Sequence, residues 1–275
     1  MRIDAHQHFW KYDPNRDTWI DNSMLVLQND FLPKDLQPIL TQNKFDGCIV
    51  VQADQSVDET QFLLQLSDDS SFIKGIVGWV DLMNQDIEQT LSKLSNHKKF
   101  KGVRHILQAE PEGFMLQDEF LNGISLLEKF NLTYDVLISP HQLEEAIKLV
   151  ETFPKQKFVL DHLAKPEIKA NKITTWKEDI FSLSSFQNVY CKLSGLVTEA
   201  DWNSWKPEDF TAYLDVVFKA FGVERLMFGS DWPVCLLASN YAQVVKLIEN
   251  YMTPLSQKEQ EDIMGKNTMK FYNIN

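Results

Sequence analysis

Apolar residues along this chain fall into short continuous runs, many of them rich in β-branched and aromatic side chains, rather than alternating with polar residues. Runs of this kind are typical of parallel strands that are buried on both faces. They predict eight strands, over residues 2–5, 48–53, 76–82, 102–107, 133–138, 158–163, 189–193 and 226–229.

Between these runs, apolar residues return at every third or fourth position, which is the spacing of helices that bury one face. The pattern predicts helices over residues 57–66, 86–94, 119–130, 142–153, 210–221, 241–251 and 258–272. Strand–helix alternation over 275 residues indicates a (β/α)8 barrel. An open doubly wound sheet usually carries a glycine-rich phosphate turn, and this chain contains neither GxGxxG nor GxxxxGKS/T. We therefore predict one α/β domain over residues 1–275, folded as a (β/α)8 TIM barrel.

Residues 9–34 interrupt the alternation. This segment holds Trp10, Tyr12, Trp19 and Phe31 among Asp and Asn residues and shows little helical period. A loop of this length inside a compact domain is usually functional. Two interpretations stay open: a lid over the active site, or a surface Ω-loop that seals the barrel mouth.

The net charge of the chain argues against some classes of binding partner. Lys and Arg number 27 against 39 Asp and Glu, for a net charge of -12, and such a surface repels phosphate backbones and anionic lipids. Neither a secretory signal nor a membrane-spanning run is present, and Cys48, Cys191 and Cys235 lie far apart. We therefore predict a cytoplasmic protein with a small-molecule substrate and no nucleic-acid or membrane partner, and homo-oligomerisation stays open.

Chemically reactive side chains gather where the predicted strands end, which in a barrel is the active-site mouth. His6 and His8 are two residues apart, so in extended backbone both imidazoles point to the same side. Asp231 follows the eighth strand, which neighbours the first strand in a closed barrel. These three side chains are expected to meet and to share one cation, and His162 offers a fourth ligand or a carbonyl-binding group. The alternative for the histidines is one core and one surface imidazole, and the alternative for Asp231 is a helix-capping role or pairing with Arg104.

Three cations also lie near strand ends: Arg104, Lys165 and Lys192. They can bind substrate oxygens, and the Arg104 guanidinium can hold two oxygens at once. The alternative for each is neutralisation of Asp135 and Asp161.

His105, Trp10 and Trp232 complete the predicted substrate-binding set. The apolar face of a sugar ring stacks on an indole, although packing in the core or rim is the alternative for both tryptophans. His105 follows Arg104 directly on the fourth predicted strand.

The sequence resembles the amidohydrolase superfamily, and more narrowly its amidohydrolase-2 branch of lactonases, which includes fuconolactonase- and rhamnonolactonase-type enzymes and pyrone dicarboxylate lactonase. The resemblance rests on IDAHQHFW, VVQADQSVDETQFLLQL, GVRHIL, LDHLAKP, CKLSGL, MFGSDWPV and GKNTMKFY in this order. It implies a (β/α)8 fold, hydrolysis of a cyclic ester, and a site built from His6, His8, Arg104, His162 and Asp231.

The resemblance also bears on metal content. Binuclear members of the superfamily carry Lys or Glu on the fourth strand and His on the fifth, where this chain has Arg104-His105 and Tyr134-Asp135. It therefore implies one divalent cation, with zinc favoured, or none.

We predict hydrolysis of a sugar acid lactone, an aldonolactone such as L-fuconolactone or L-rhamnonolactone, mostly from the resemblance. In this prediction Asp231 deprotonates the attacking water. His162 and Arg104, or a metal held by the first-strand histidines, polarise the carbonyl oxygen. Two alternatives stay open: a metal-dependent decarboxylase of a conjugated or aromatic acid, and a non-catalytic sugar-acid-binding barrel.

Overall fold

Eight parallel strands pair in chain order to form a nearly closed barrel in the computed structural model, which describes residues 1–274. This confirms the (β/α)8 prediction. The strands are β1 Ile3–Gln7, β2 Gly47–Val51, β3 Ile73–Gly78, β4 Phe100–Ile106, β5 Thr133–Leu137, β6 Phe158–Leu160, β7 Val189–Leu193 and β8 Leu226–Phe228.

The first and last strands meet at the end of the barrel where the strands terminate. The backbone N–H of Asp231 donates to the carbonyl of His6, and the N–H of His8 donates to the carbonyl of Trp232, each at 2.8 Å. A parallel bridge joins Gln7 to Trp232 at the same point. This seam brings residues from the two ends of the chain side by side.

Helices follow the strands and cover the outside of the barrel. They are α1 Pro33–Gln42, α2 Val57–Asp69, α3 Ile87–Leu94, α4 Asp118–Leu127, α5 Leu143–Thr152, α6 Thr174–Ser184, α7 Leu196–Glu199, α8 Glu208–Phe221, α9 Tyr241–Tyr251, α10 Gln257–Glu261 and α11 Asn267–Phe271. Side-chain oxygens of Ser56, Asn240 and Ser256 accept the backbone N–H groups that open α2, α9 and α10.

The predicted helix over residues 258–272 is wrong as a single element. It divides into α10 and α11 around a π-helical turn, Asp262–Lys266. Gly265 lies in that turn, and a Cβ there would stand 2.3 Å from the carbonyl oxygen of Met1. The regular α-helical pattern is therefore interrupted where this segment packs against the first residues of the chain.

Apolar side chains fill two regions, one between strands and helices and one inside the barrel. The inner cluster includes Ile3, Ile49 and Val77, and Phe271 and Tyr272 close the barrel from below. Burial on both faces explains why the strands read as continuous apolar runs.

The segment over residues 9–34 is folded on itself. Trp10 and Phe31 exchange backbone hydrogen bonds of 3.0 and 2.9 Å, and Trp10, Ile20 and Leu27 form a buried cluster. Its role as a lid stays a prediction. None of the helices within residues 1–274 combines the length and the apolar character needed to cross a bilayer.

Candidate active site

A cavity of about 540 Å³ opens where the strands end. This volume falls in the range of sites for small organic molecules. Six of the residues predicted from the sequence line it: His8, Trp10, Arg104, His162, Lys165 and Asp231.

His8 and Asp231 line the floor of this cavity, and His6 lies buried in contact with both. The Nε2 atoms of His6 and His8 lie 3.2 Å apart. Asp231 Oδ1 is 3.3 Å from His8 Nε2 and 3.8 Å from His6 Nε2. All three side chains are almost fully buried. The seam between β1 and β8 thus brings two imidazoles and a carboxylate to one point.

Local backbone features hold Asp231 in this place. Its φ is +58°, and its N–H is fixed to the His6 carbonyl. The preceding Gly229 lies so close to β1 that a Cβ there would stand 2.6 Å from His6 Cβ. The Asp4 carboxylate accepts the backbone N–H groups of His6 and Ser230, at 3.1 and 2.9 Å, and so ties the two segments together.

His162 enters the site from an unusual turn. Residues 162–165 all have positive φ, which ends β6 earlier than the predicted boundary at residue 163. His162 Nδ1 lies 2.9 Å from Ser194 Oγ, and its Nε2 lies 4.0 Å from Asp231 Oδ1. Gly195 faces the ring so closely that a Cβ there would be 2.6 Å from its Cγ. The glycine is required for this approach.

The protonation states suit both metal ligation and base catalysis. Burial lowers the pKa of His6 well below that of an ordinary histidine, and it lowers the pKa of His162 to about 4. Burial acts in the opposite direction on Asp231, but His162 and the other imidazoles outweigh it and hold the pKa of this carboxyl below its usual range. These directions favour uncharged rings for His6 and His162 and an ionised carboxylate for Asp231 at neutral pH.

A buried charged network lies beneath the floor. The Lys192 ammonium group is 2.5 Å from Asp135 Oδ2, 3.0 Å from Asp161 Oδ1 and 3.1 Å from His6 Nδ1. Arg104 Nη1 donates to Asp161 Oδ2 at 3.1 Å. Although burial raises the pKa of Asp161, Lys192 outweighs it and holds this pKa well below its ordinary value.

Three of the predicted substrate-binding residues lie outside the cavity lining. Lys192 is fully buried and lies within 3.1 Å of Asp135, Asp161 and His6, so it contacts the His6 ring from below the cavity. Trp232 is 2% exposed and packs against Phe31, with ring centroids 5.2 Å apart, outside the cavity lining. His105 lies outside it as well, because its Nε2 donates to Glu110 and its Nδ1 accepts from Trp79.

The donor set fits a divalent cation. His8 Nδ1 donates to the Val51 carbonyl at 2.8 Å, which leaves the lone pair of Nε2 facing the Nε2 atom of His6. Ligand atoms of a tetrahedral zinc site, with Zn–N bonds of about 2.0–2.1 Å, lie about 3.3 Å apart. The separations of 3.2, 3.3 and 3.8 Å among His6, His8 and Asp231 are close to that value. A second group, His6, Asp161 and His162, offers another arrangement of donors.

Sequence reasoning missed several residues of the cavity wall. They lie in the segments after the strands and include Gln55, Gln108, Glu199 and Trp202. No spacing or motif distinguishes them, because a loop residue reaches a cavity through tertiary packing rather than through a periodic pattern.

Comparison with known proteins identifies close relatives over the full barrel. A sequence model of the amidohydrolase family Amidohydro_2 matches residues 3–274. The L-fucono-1,5-lactonase of Burkholderia multivorans is 37% identical over 284 residues, which cover 99% of this chain and 96% of that protein. The L-fucono-1,5-lactonase of Burkholderia ambifaria is 32% identical over 286 residues, covering 100% and 96%. A crystal structure of an amidohydrolase from Burkholderia multivorans with bound zinc shares 36% identity and a TM-score of 0.97, with complete coverage of both chains.

Proposed function

This chain belongs to the amidohydrolase family and hydrolyses a sugar acid lactone, and on that premise we propose that its substrate is L-fucono-1,5-lactone or a lactone of the same ring size and similar hydroxyl arrangement. One observation carries the assignment of chemistry: the Asp231 carboxylate lies within 4.0 Å of the imidazoles of His6, His8 and His162, at a cavity of small-molecule size. The relatives do not favour a decarboxylase or a non-catalytic binder.

Asp231 acts as the general base in this proposal. Its carboxylate takes a proton from water, and the water oxygen forms a bond to the lactone carbonyl carbon. The bond between that carbon and the ring oxygen then breaks. The proton held by Asp231 passes to the departing alkoxide, so the product is the ring-opened hydroxy acid and the carboxylate is regenerated.

Arg104 and His162 stabilise the negative charge that develops on the carbonyl oxygen. Both line the cavity beside Asp231. The Arg104 guanidinium is held by Asp161 and by the backbone carbonyl of Gln52, so it is in place before the substrate arrives. A single well-placed donor of this kind lowers the barrier by roughly 2.7–4 kcal/mol.

We further propose that His6, His8 and Asp231 hold one zinc ion. Ligation by His162 Nε2 is the alternative to its donation to the carbonyl oxygen, because one nitrogen cannot do both. A bound divalent cation supplies Lewis acidity toward the lactone carbonyl. Burial disfavours the charged form of His6, and the hydrogen bond from His8 Nδ1 to the Val51 carbonyl leaves the lone pair of His8 Nε2 free to ligate.

A pH-indicator assay tests the proposal, since opening a lactone releases a proton. The purified protein is assayed against a panel of aldonolactones of both ring sizes, with and without a chelator. We expect turnover of L-fucono-1,5-lactone and loss of at least 100-fold in kcat for D231N, and in the presence of the chelator the Tm of D231N should be close to that of the wild type. D201N removes an exposed carboxylate and is the matched control. Retained activity in D231N would show that the base is assigned wrongly, and absence of turnover with every lactone would refute the function.

A further inference from the structure

One charged pair forms part of the cavity wall without belonging to the chemistry proposed above. Lys165 Nζ lies 3.0 Å from Glu199 Oε1, and the two side chains are 28% and 22% exposed. Both residues line the cavity, together with His162 and Asp231. Both charged groups are partly shielded from water. Polar groups of a bound ligand can therefore replace some of the hydration that the pair has lost.

Lys165 and Glu199 lie on the same backbone segments that position His162. Lys165 ends the positive-φ turn over residues 162–165, and its backbone N–H donates to the His162 carbonyl at 2.7 Å. Glu199 ends α7, the helix that begins directly after Gly195, whose α-carbon faces the His162 ring. The pair is therefore fixed relative to the group that meets the lactone carbonyl.

The pair also has unused hydrogen-bonding capacity. An ammonium group has three donors and a carboxylate has two acceptor oxygens. Within residues 1–274, the contact with Glu199 Oε1 is the one polar partner of Lys165 Nζ, and Glu199 Oε2 has none. A sugar hydroxyl both donates and accepts, so adjacent ring hydroxyls can donate to Glu199 and accept from Lys165 at the same time.

Other parts of the wall are apolar. Trp10, Trp19, Met24, Val234 and Leu237 also line the cavity, and they come from the 9–34 segment and the turn after β8. Hydroxyl groups directed toward these side chains would lose hydration without finding partners. The charged pair, in contrast, offers hydroxyl groups both donors and acceptors.

We propose that the Lys165–Glu199 pair determines specificity for hydroxylated lactones by binding ring hydroxyl groups of the substrate. The proposal rests on the lactonase function argued above and deepens it. If either charge is removed, the substrate hydroxyl groups lose a hydrogen-bonding partner. The preference for a hydroxylated lactone over a lactone without hydroxyl groups should then fall.

The test compares L-fucono-1,5-lactone with δ-valerolactone, a six-membered lactone that carries no hydroxyl group. The quantity measured is the ratio of kcat/KM for the two lactones, in the wild type and in the variants K165M and E199Q. We expect the wild type to favour the sugar lactone and each variant to reduce the ratio by about 10- to 100-fold, the range for loss of hydrogen bonds to charged groups. The methyl substituent of the sugar lactone contributes equally in all enzymes and cancels.

Matched controls are K169M and D201N, which remove a neighbouring exposed ion pair of 3.1 Å outside the cavity. A purely structural pair would lower kcat/KM for both lactones and leave the ratio unchanged, and that result would overturn the proposal. Because the two residues lie on different elements, poor folding of one variant, seen as a lowered Tm, leaves the other variant to test the proposal.

If the wild type hydrolyses δ-valerolactone but does not prefer the sugar lactone, the role of the pair is refuted and the lactonase function stands. If it hydrolyses neither, the function fails and the pair's role with it.

Discussion

Arg104 illustrates how single residues in this site are fixed by partners other than the substrate. Its two terminal nitrogens reach Asp161 and Gln52, and this fork geometry is specific to a guanidinium. A lysine keeps the charge but cannot contact both partners at once. We expect R104K to lower kcat by about 10- to 1,000-fold with a smaller change in KM, because the loss is in stabilisation of the transition state. Steady-state kinetics on L-fucono-1,5-lactone measures both constants, and R2K at a remote ion pair is the control.

Glu59 gives a residue-scale prediction about pH. Burial raises its pKa to about 8, although it accepts the backbone N–H groups of Ala53 and Asp54. The unfolded chain releases this proton near pH 4.5. The folded protein therefore binds the extra proton between these values, so the free energy of unfolding should fall as the pH rises from about 4.5 to 8.

Urea titrations at pH 5 and pH 8 measure this dependence. The E59Q variant lacks the titrating group, so we expect the wild type to lose more stability than the variant between the two pH values, by an amount on the order of 4 kcal/mol. Equal losses in the two proteins would mean that Glu59 is already ionised in the folded state.

At the scale of elements, the strands were predictable and the turn that carries His162 was not. Continuous apolar runs follow directly from burial on both faces, so all eight strands were located. Four successive non-glycine residues with positive φ oppose local preference. Tertiary contacts stabilise this backbone conformation. Trp176 Nε1 donates to the Leu163 carbonyl at 2.8 Å, and the Ser194 hydroxyl contacts the His162 ring. No pattern within residues 158–165 encodes partners that lie tens of residues away.

Gly195 and Gly113 provide a matched pair of tests for that turn. Both have positive φ, +66° and +84°. A Cβ at Gly195 would meet the His162 ring at 2.6 Å, whereas a Cβ at Gly113 would meet no atom within 4 Å. We expect G195A to displace His162 and lower kcat by at least 10-fold. G113A should show only the backbone cost, about 1–2 kcal/mol of unfolding free energy, with unchanged kcat. Similar kcat losses in both variants would contradict this role for the glycine.

At the scale of the whole molecule, topology explains which part of the site could be inferred. His6, His8 and Asp231 were expected to meet because the first and eighth strands of a closed barrel are neighbours, and the structure brings them together. The depth of each residue in the barrel could not be inferred. Lys192 and Arg104 both lie on strands, yet one is sealed beneath the floor and the other lines the cavity.

Metal binding should stabilise the whole barrel, since the proposed ligands come from both sides of the seam between β1 and β8. A ligand that binds only the folded state adds about 2.7 kcal/mol at one hundred times its Kd. We therefore expect added zinc to raise the Tm of the wild type and a chelator to reverse the rise. H8A should show little of this shift, and the exposed histidine variant H97A should respond like the wild type. A full shift in H8A would place the ion elsewhere.

The joint between the opening segment and the residues after Phe228 has a further consequence for synthesis of the protein. While the ribosome is still making the first seven strands, the histidines have already emerged and the carboxylate they require does not yet exist. With Asp231 as the proposed base, catalysis can begin only after nearly the entire polypeptide has been released and its two ends have come together. Onset of turnover during translation or refolding would therefore report completion of the barrel, and not the earlier collapse of its parts.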